Sequence, residues 1–292
     1  MSGRGAGAVI AVVGVLLSGG STRAAEKEYV VTGMVLSVNP SARSFTVSHE
    51  PIEGFMGAMT MPFEVRQPEE LRALVPGAIV EFTLVVGDQS SYATRITVRR
   101  YETVERDPRA AQRLSAMKRL AGVSTPPVAI GSSMPDFTLI DQARRRVALS
   151  SFVGKVVVVN FVYTRCPLPQ FCLRMSNNFG ALQKRFSSDL GPNLVLLTIT
   201  FDPERDTPEV LASYAERWGA NPAGWHFLTG TVPDIRRVCA LFGQEAFPEE
   251  GLMNHSLHTA VIDRAGTLVA NIEGNAFTPE QLGDLVLATL SR

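Results

Sequence analysis

Apolar and polar positions follow two different rhythms along this chain, and the change falls near residue 135. In the first part, YVVTGMVLSV, RSFTVSHEPI, AIVEFTLVV and YATRITVRR are short runs rich in Val, Thr, Ile, Phe and Tyr, residues that fit a pleated, half-buried surface. Asn39-Pro40, Pro76-Gly77 and Gly87-Asp88 separate them with turn chemistry. A compact antiparallel barrel of about five strands is expected over residues 26–100. From Pro135 onward the runs lengthen. KVVVVNFVYT and NLVLLTITF are unbroken apolar stretches, as in strands buried on both faces. Helical spacing predicts helices over about Gln170 to Phe186, TPEVLASYAERWG, VPDIRRVCALFG and TPEQLGDLVLATL. Thr207 is placed to cap the second of these, Pro208 suits its first turn and Gly219 stops it. HFLTG adds a short strand and HTAVIDRAGTLVANIEG a hairpin. Strand–helix–strand, then hairpin and helix, predicts an α/β layer fold with a central sheet over residues 131–292.

Residues 101–130 read as a connection between the two parts. ETVERDPRAAQRLSAMKRLA, residues 102–121, is charged and Ala-rich and is expected to form an exposed helix, and GVSTPPVAIGSSMP has a boundary's Gly, Ser and Pro content. Residues 1–25 read as a secretory signal: Arg4, then an apolar run from Ala6 to Leu17, then small residues up to Ala24 and Ala25. The run is short for a membrane span of about 20 residues, and an uncleaved membrane anchor is the alternative. A periplasmic or otherwise exported location is therefore expected. Lys+Arg and Asp+Glu both number 28, so the formal net charge is zero. That balance argues against nucleic acid or an anionic membrane surface as main partner.

Export changes how the cysteines are read, because thiols outside the cytosol oxidise unless they are kept reduced or bind metal. There are three: Cys166, Cys172 and Cys239. Cys239 lies in a helical pattern and reads as a small buried hydrophobe. Cys166 and Cys172 sit in FVYTRCPLPQFCLR with five residues between them. On one continuous helix they would lie about 240° apart and could share nothing. Pro169 forbids that case, because it disfavours a helical Leu168 while suiting a first helical position itself. Cys166 is therefore expected in a loop after the strand. Cys172 is expected in the first turn of a helix beginning near Pro169, where free N–H groups favour thiolate. A structural disulfide, a redox pair and a metal site all remain open. His255 and His258, in GLMNHSLHTAVID, lie just before a predicted strand. Two thiolates and an imidazole are a soft, low-coordinate set that suits copper.

The element order matches a thioredoxin-like fold. FVYTRCP, FDPERDTPEVL, HSLHTAVID, PDFTLIDQ and the Gly154-Lys155 entry to the buried strand resemble the Sco (SenC) copper chaperones of cytochrome c oxidase assembly. The resemblance runs from about Met134 to the C-terminus. It implies a thioredoxin-like fold that binds one copper, as Cu(I) and/or Cu(II), through Cys166, Cys172 and His255. His255, with Ser256 and Asp263 after it, fits the family register and His258 does not. The family usually has three residues between its cysteines where this chain has five. Asp202 and Asp206 match the family's acidic loop and read equally as turn and helix-capping residues. The implied partners are a copper acceptor, an oxidase subunit, and a thiol reductant.

The barrel segment HEPIEGFMGAMTMPFEV holds one His and three Met. Met59 and Met61 alternate, so on a strand both point to one face. The segment resembles the CusF-like periplasmic copper-binding proteins, which are small OB-like five-stranded barrels. The resemblance implies a second Cu(I) site from His49, Met59 and Met61. The family's tryptophan before AMTM is absent, and Met56 or Phe55 falls near its place. Together the two parts imply an exported chaperone that collects copper in the barrel and delivers it from the cysteine domain. The rival is a thiol–disulfide oxidoreductase using Cys166 and Cys172, although its characteristic cis-proline is missing between Gly251 and Ala260. A thiol peroxidase is disfavoured, since Thr164 and Cys166 have one residue between them where that pattern needs two.

Overall fold

The computed structural model describes residues 26–99, 126–249 and 252–292. The expected signal segment and the expected helix over 102–121 lie outside the described residues. The first part is a five-stranded antiparallel sheet: β1 (Lys27–Asn39), β2 (Ser44–His49), β3 (Met59–Glu64), β4 (Ile79–Val86) and β5 (Ser91–Val98). The strand order is β3-β2-β1-β4-β5, and a bridge between Val65 and Ala93 joins the two edges into a barrel. Alternate residues fill it. Val31, Val35, Phe45, Val47, Phe63 and Phe82 form its core, with Phe82 edge-on to Phe45 and Phe63 at 5.3 and 4.9 Å between ring centroids.

The second part begins with a hairpin, β6 (Thr138–Asp141) and β7 (Arg146–Ala148). It continues with β8 (Val156–Val162), α1 (Arg174–Arg185), β9 (Leu194–Thr200), α2 (Pro208–Arg217), β10 (Trp225–Thr229) and α3 (Val232–Phe242). A small hairpin, β11 (Ala246–Glu249) and β12 (Leu252–His255), precedes β13 (His258–Ile262), β14 (Leu268–Glu273) and α4 (Pro279–Leu290). Seven strands make one mixed sheet, β14-β13-β8-β9-β10-β6-β7. All residues of β8 and β9 are buried, as their unbroken apolar runs require. The helix starts follow the sequence chemistry. Thr207 and Thr231 accept backbone N–H groups at the starts of α2 and α3, and Thr278 with Gln281 forms a capping box at α4.

Two features depart from the sequence expectations. The regular helix after the cysteine loop starts at Arg174, not near Pro169. Residues Pro169–Leu173 form a wide turn in which Phe171 leaves helical geometry (φ −109°, ψ −105°) and the Arg174 N–H is shared by the carbonyls of Phe171 and Pro169. His255 ends a strand, where the sequence reading expected a loop. The β6–β7 and β11–β12 hairpins were not foreseen, because strands of three or four residues carry too little periodicity.

The two parts share a core. β1 is buried on both faces: Val31 and Val35 point into the barrel, while Met34 and Leu36 join the second domain's core. At Gly77 (φ +85°) an added Cβ would stand 2.9 Å from Ala270 Cβ and Ile272 Cγ1. Glycine is required there both for the backbone and for the approach to β14. Polar contacts complete the junction. The hydroxyls of Ser48 and Thr60 donate to Asp284 on α4, at 2.7 and 2.9 Å.

Candidate metal centres

β8 is fixed by its burial, so the chain leaves the sheet at Tyr163 in a defined place. Two carboxylates then hold the next residues. Asp206 accepts from the Thr164 N–H at 3.1 Å and from the Thr164 and Thr200 hydroxyls at 2.6 Å each. Asp202 pairs with Arg165 at 3.0 Å. Asp206 is fully buried, and that burial raises its pKa despite the three hydrogen bonds. Asp202 does open a turn, its carbonyl accepting the Arg205 and Asp206 N–H groups, and both carboxylates also hold the entry to the cysteine loop.

Cys166 is half-buried and Cys172, in the wide turn, is buried; neither is in a disulfide. The Cys166 sulfur meets the Leu168 carbonyl at 3.7 Å, and the Cys172 thiol and His255 are the neighbours that favour its ionised form. The Cys172 hydrogen bond is the largest influence, and with His255 it outweighs burial and lowers the Cys166 pKa to about 4. Cys172 is pushed the other way, first by its bond to the Cys166 sulfur and then by burial. The pair thus shares one proton, held on Cys172, with the negative charge on the more exposed sulfur.

His255 presents its Nδ1 to the Ser256 carbonyl at 2.8 Å, which leaves Nε2 for the cysteine side. Its ring lies among Phe201, Tyr163 and Phe171, at centroid distances of 4.7, 5.8 and 6.3 Å. Burial and the neighbouring thiolate push the Tyr163 hydroxyl up to about 12, so it stays a phenol at neutral pH. Cys166 is the hub of this constellation. Among the described residues no group of three or more His, Cys, Asp or Glu side chains is arranged to hold a metal ion.

His258 lies elsewhere: its Nδ1 meets Asn271 Oδ1 at 3.1 Å, and burial lowers its pKa. Cys239 is buried on α3, where desolvation raises its thiol to about 12. Among the described residues there is no cis peptide bond.

In the barrel, His49 ends β2 directly opposite Met59 on one side and Gly33 on the other. A Cβ on Gly33 would lie 2.6 Å from the Ser48 carbonyl and 2.8 Å from the His49 Cα, so only glycine admits this packing. His49 is 2% exposed. Its Nδ1 meets the Glu50 carbonyl at 2.7 Å, while its buried Nε2 has no partner. An unpaired buried nitrogen is costly unless a ligand completes it. Met59 is 53% exposed, and Met61 lies on the same face, packed against the barrel core. Met56 is partly buried in the intervening loop, its backbone bridged to Ile52. The aromatic ring against His49 is Phe63, edge-on at 5.8 Å, while Phe55 stacks on Tyr29 at 4.5 Å. Soft sulfur on the strand facing a buried imidazole nitrogen is a donor set for Cu(I).

Sequence reasoning missed two features here. The anchoring role of Asp202 and Asp206 leaves no trace in spacing, because it depends on Thr164 and Thr200 meeting across strands. The Ser48–Thr60 contact with α4 had a weak signal: both are polar positions interleaved with the predicted ligands.

Comparison with known proteins places these features. Residues 129–290 match the SCO1/SenC family model, and residues 28–98 match the model described as copper binding periplasmic protein CusF. The metal expected from the sequence, copper, is borne out by these matches. The chain is 28% identical over 154 residues to protein sco1 of Schizosaccharomyces pombe, covering 50% of this chain and 56% of that protein. It is 30% identical over 94 residues to the SCO1 protein homolog of Bacillus subtilis, covering 32% and 47%. The chain thus spans about half the length of these curated relatives. The fold is similar to that of a SCO1/SenC family lipoprotein from Bacillus anthracis, with a TM-score of 0.50 at 22% identity, over 56% of this chain and 99% of that one. No described helix is long and apolar enough to cross a membrane. Since its family model spans more than half of the sequence, the chain belongs to the SCO1/SenC family.

Proposed function

We propose that this protein is an exported copper chaperone with two metal centres. Cys166, Cys172 and His255 hold the copper that is delivered to an acceptor, the binuclear copper centre of cytochrome c oxidase. His49, Met59 and Met61, with Met56 at the rim, collect Cu(I) in the barrel. The observation that carries this reading is the placing of Cys166 beside Cys172 and His255, the two groups that favour its thiolate. A thiolate is the form that binds metal. Copper takes the place of the one shared proton, and its exit needs only the half-exposed Cys166 side to open. Because thiolates bind Cu(I) more tightly than thioethers, copper moves from the barrel to the cysteines. A thiol reductant keeps the pair ready for metal.

The test is copper stoichiometry of the full chain, reduced and titrated anaerobically with Cu(I). Wild type retains two ions. Cys166→Ser with Cys172→Ser retains one, and Met59→Leu with Met61→Leu retains one. A wild-type chain that retains none sinks the proposal.

A second reading rests on the asymmetry of the pair, an accessible thiolate beside a buried thiol. Cys166 would attack a partner disulfide and release one partner thiolate. Cys172 would then lose its proton, close a Cys166–Cys172 disulfide and free the second partner sulfur. His255→Ala separates the readings: it removes a metal ligand but keeps both sulfurs of the exchange.

A further inference from the structure

The barrel centre is built from two strands, but the group that fixes their spacing comes from the other domain. Ser48 directly precedes His49, and Thr60 lies between Met59 and Met61. In the β2–β3 ladder Ser48 faces Thr60, one step from the His49–Met59 pair. Both hydroxyls point away from the barrel interior and donate to the same oxygen, Asp284 Oδ2, at 2.7 and 2.9 Å. The other oxygen, Oδ1, accepts from Arg185 at 2.6 Å. The Gln281 amide, one turn earlier on α4, donates to the Ser48 carbonyl at 3.3 Å. The carboxylate is thus held from below and staples two strands from above.

β3 needs such a staple. It is an edge strand whose ladder partner is β2 alone, and its far end is bridged towards β5 at Val65–Ala93. Its metal-facing end, with exposed Met59, has β2 as its ladder partner on one side and no strand on the other. His49 is fixed by contrast: it is buried, its Nδ1 is engaged, and its Nε2 has no partner among protein groups. The distance from that nitrogen to the Met59 sulfur therefore depends on where β3 is held.

We propose that Asp284 is a positioning residue for the barrel copper centre, a carboxylate of the second domain that sets the spacing of His49 against Met59 and Met61. This rests on the reading that those three residues bind Cu(I). The docked second domain then tightens the barrel's hold on copper, and undocking loosens it. Removal of an outer partner that orients ligands costs about 10- to 100-fold in metal affinity.

The experiment uses the full chain carrying Cys166→Ser and Cys172→Ser, so that only the barrel centre is read. Cu(I) affinity is measured by chelator competition, and methionine methyl groups are followed by NMR. Asp284→Ala is expected to weaken binding about 10- to 100-fold. Ser48→Ala with Thr60→Val, which leaves α4 untouched, is expected to match it. Combining the two adds little, since both remove one interaction. Ser48→Thr with Thr60→Ser keeps the hydroxyls and restores parental affinity. On copper addition both Met59 and Met61 methyls shift in the parent, whereas in Asp284→Ala Met59 stays at its metal-free position. A merely structural role would not move Met59 selectively. Parental affinity and two shifted methyls in Asp284→Ala overturn the proposal while the barrel reading stands. If His49→Ala binds as tightly as the parent, the barrel reading falls and takes the proposal with it.

Discussion

Copper binding at the cysteine centre should release one proton per ion, not two. Two ordinary thiols are almost fully protonated at pH 7.5, so a site that takes both as thiolates sheds about two protons, and its affinity climbs about a hundredfold per pH unit. Here Cys166 is already ionised, its pKa lowered to about 4 by Cys172 and His255, while Cys172 is driven upward and keeps its proton. Only the Cys172 proton remains to be displaced. Affinity should therefore rise about tenfold per pH unit between about pH 7.5 and 8.5, a window above ordinary imidazole titration. The assay is anaerobic Cu(I) calorimetry on the reduced full chain with Met59→Leu and Met61→Leu, in buffers of different ionisation enthalpy, which count protons directly. Release of two protons would refute the reasoning, because it would mean that Cys166 is an ordinary thiol before metal arrives.

The same arrangement predicts how stability follows pH. The folded pKa of Cys166 lies below the thiol value of 9.0, so its contribution is fully present above about pH 9 and is lost as pH falls towards 4. Urea midpoints of reduced wild type should therefore gain on Cys166→Ser as pH rises from about 5 to about 8; a constant gap would contradict it. Asp206→Ala leaves the Thr164 N–H and two hydroxyls without their acceptor, at a cost of about 1–3 kcal/mol, and should raise the Cys166 titration midpoint read by thiolate absorbance. Gly33→Ala forces a Cβ against Val47, Ser48 and His49, an overpacking that costs about 1–3 kcal/mol; it should lower the melting temperature and weaken Cu(I) binding in the barrel.

Much of this architecture was legible in the chain. β8 and β9 announced themselves as unbroken apolar runs, and Thr207 and Pro208 marked a helix start by chemistry that acts within one turn. The barrel strands were readable from runs of Val, Thr, Ile, Phe and Tyr and the turns between them. What escaped depends on contacts distant in sequence. Nothing near Pro169 foretells that Phe171 leaves helical geometry. β12 carries His255 on a four-residue strand, too short for periodicity to reveal. β1 shows the same limit: Met34 and Leu36 read as ordinary alternation until the second domain covers them. The candidate ligands were named from residue type and resemblance. Their supporting groups, Asp206, Asp202 and Asp284, become visible only when strands and domains meet.

The measurement that tests the central claim most directly is a Cu(I) competition titration of the reduced full chain, comparing wild type with His255→Ala and His258→Gln. His255 stands at the Cys166 thiolate, whereas His258 is held by Asn271. The account predicts that His255→Ala loses affinity at the tighter of two centres, by at least about tenfold, while His258→Gln binds like wild type. Unchanged affinity in His255→Ala, with loss in His258→Gln, would contradict it.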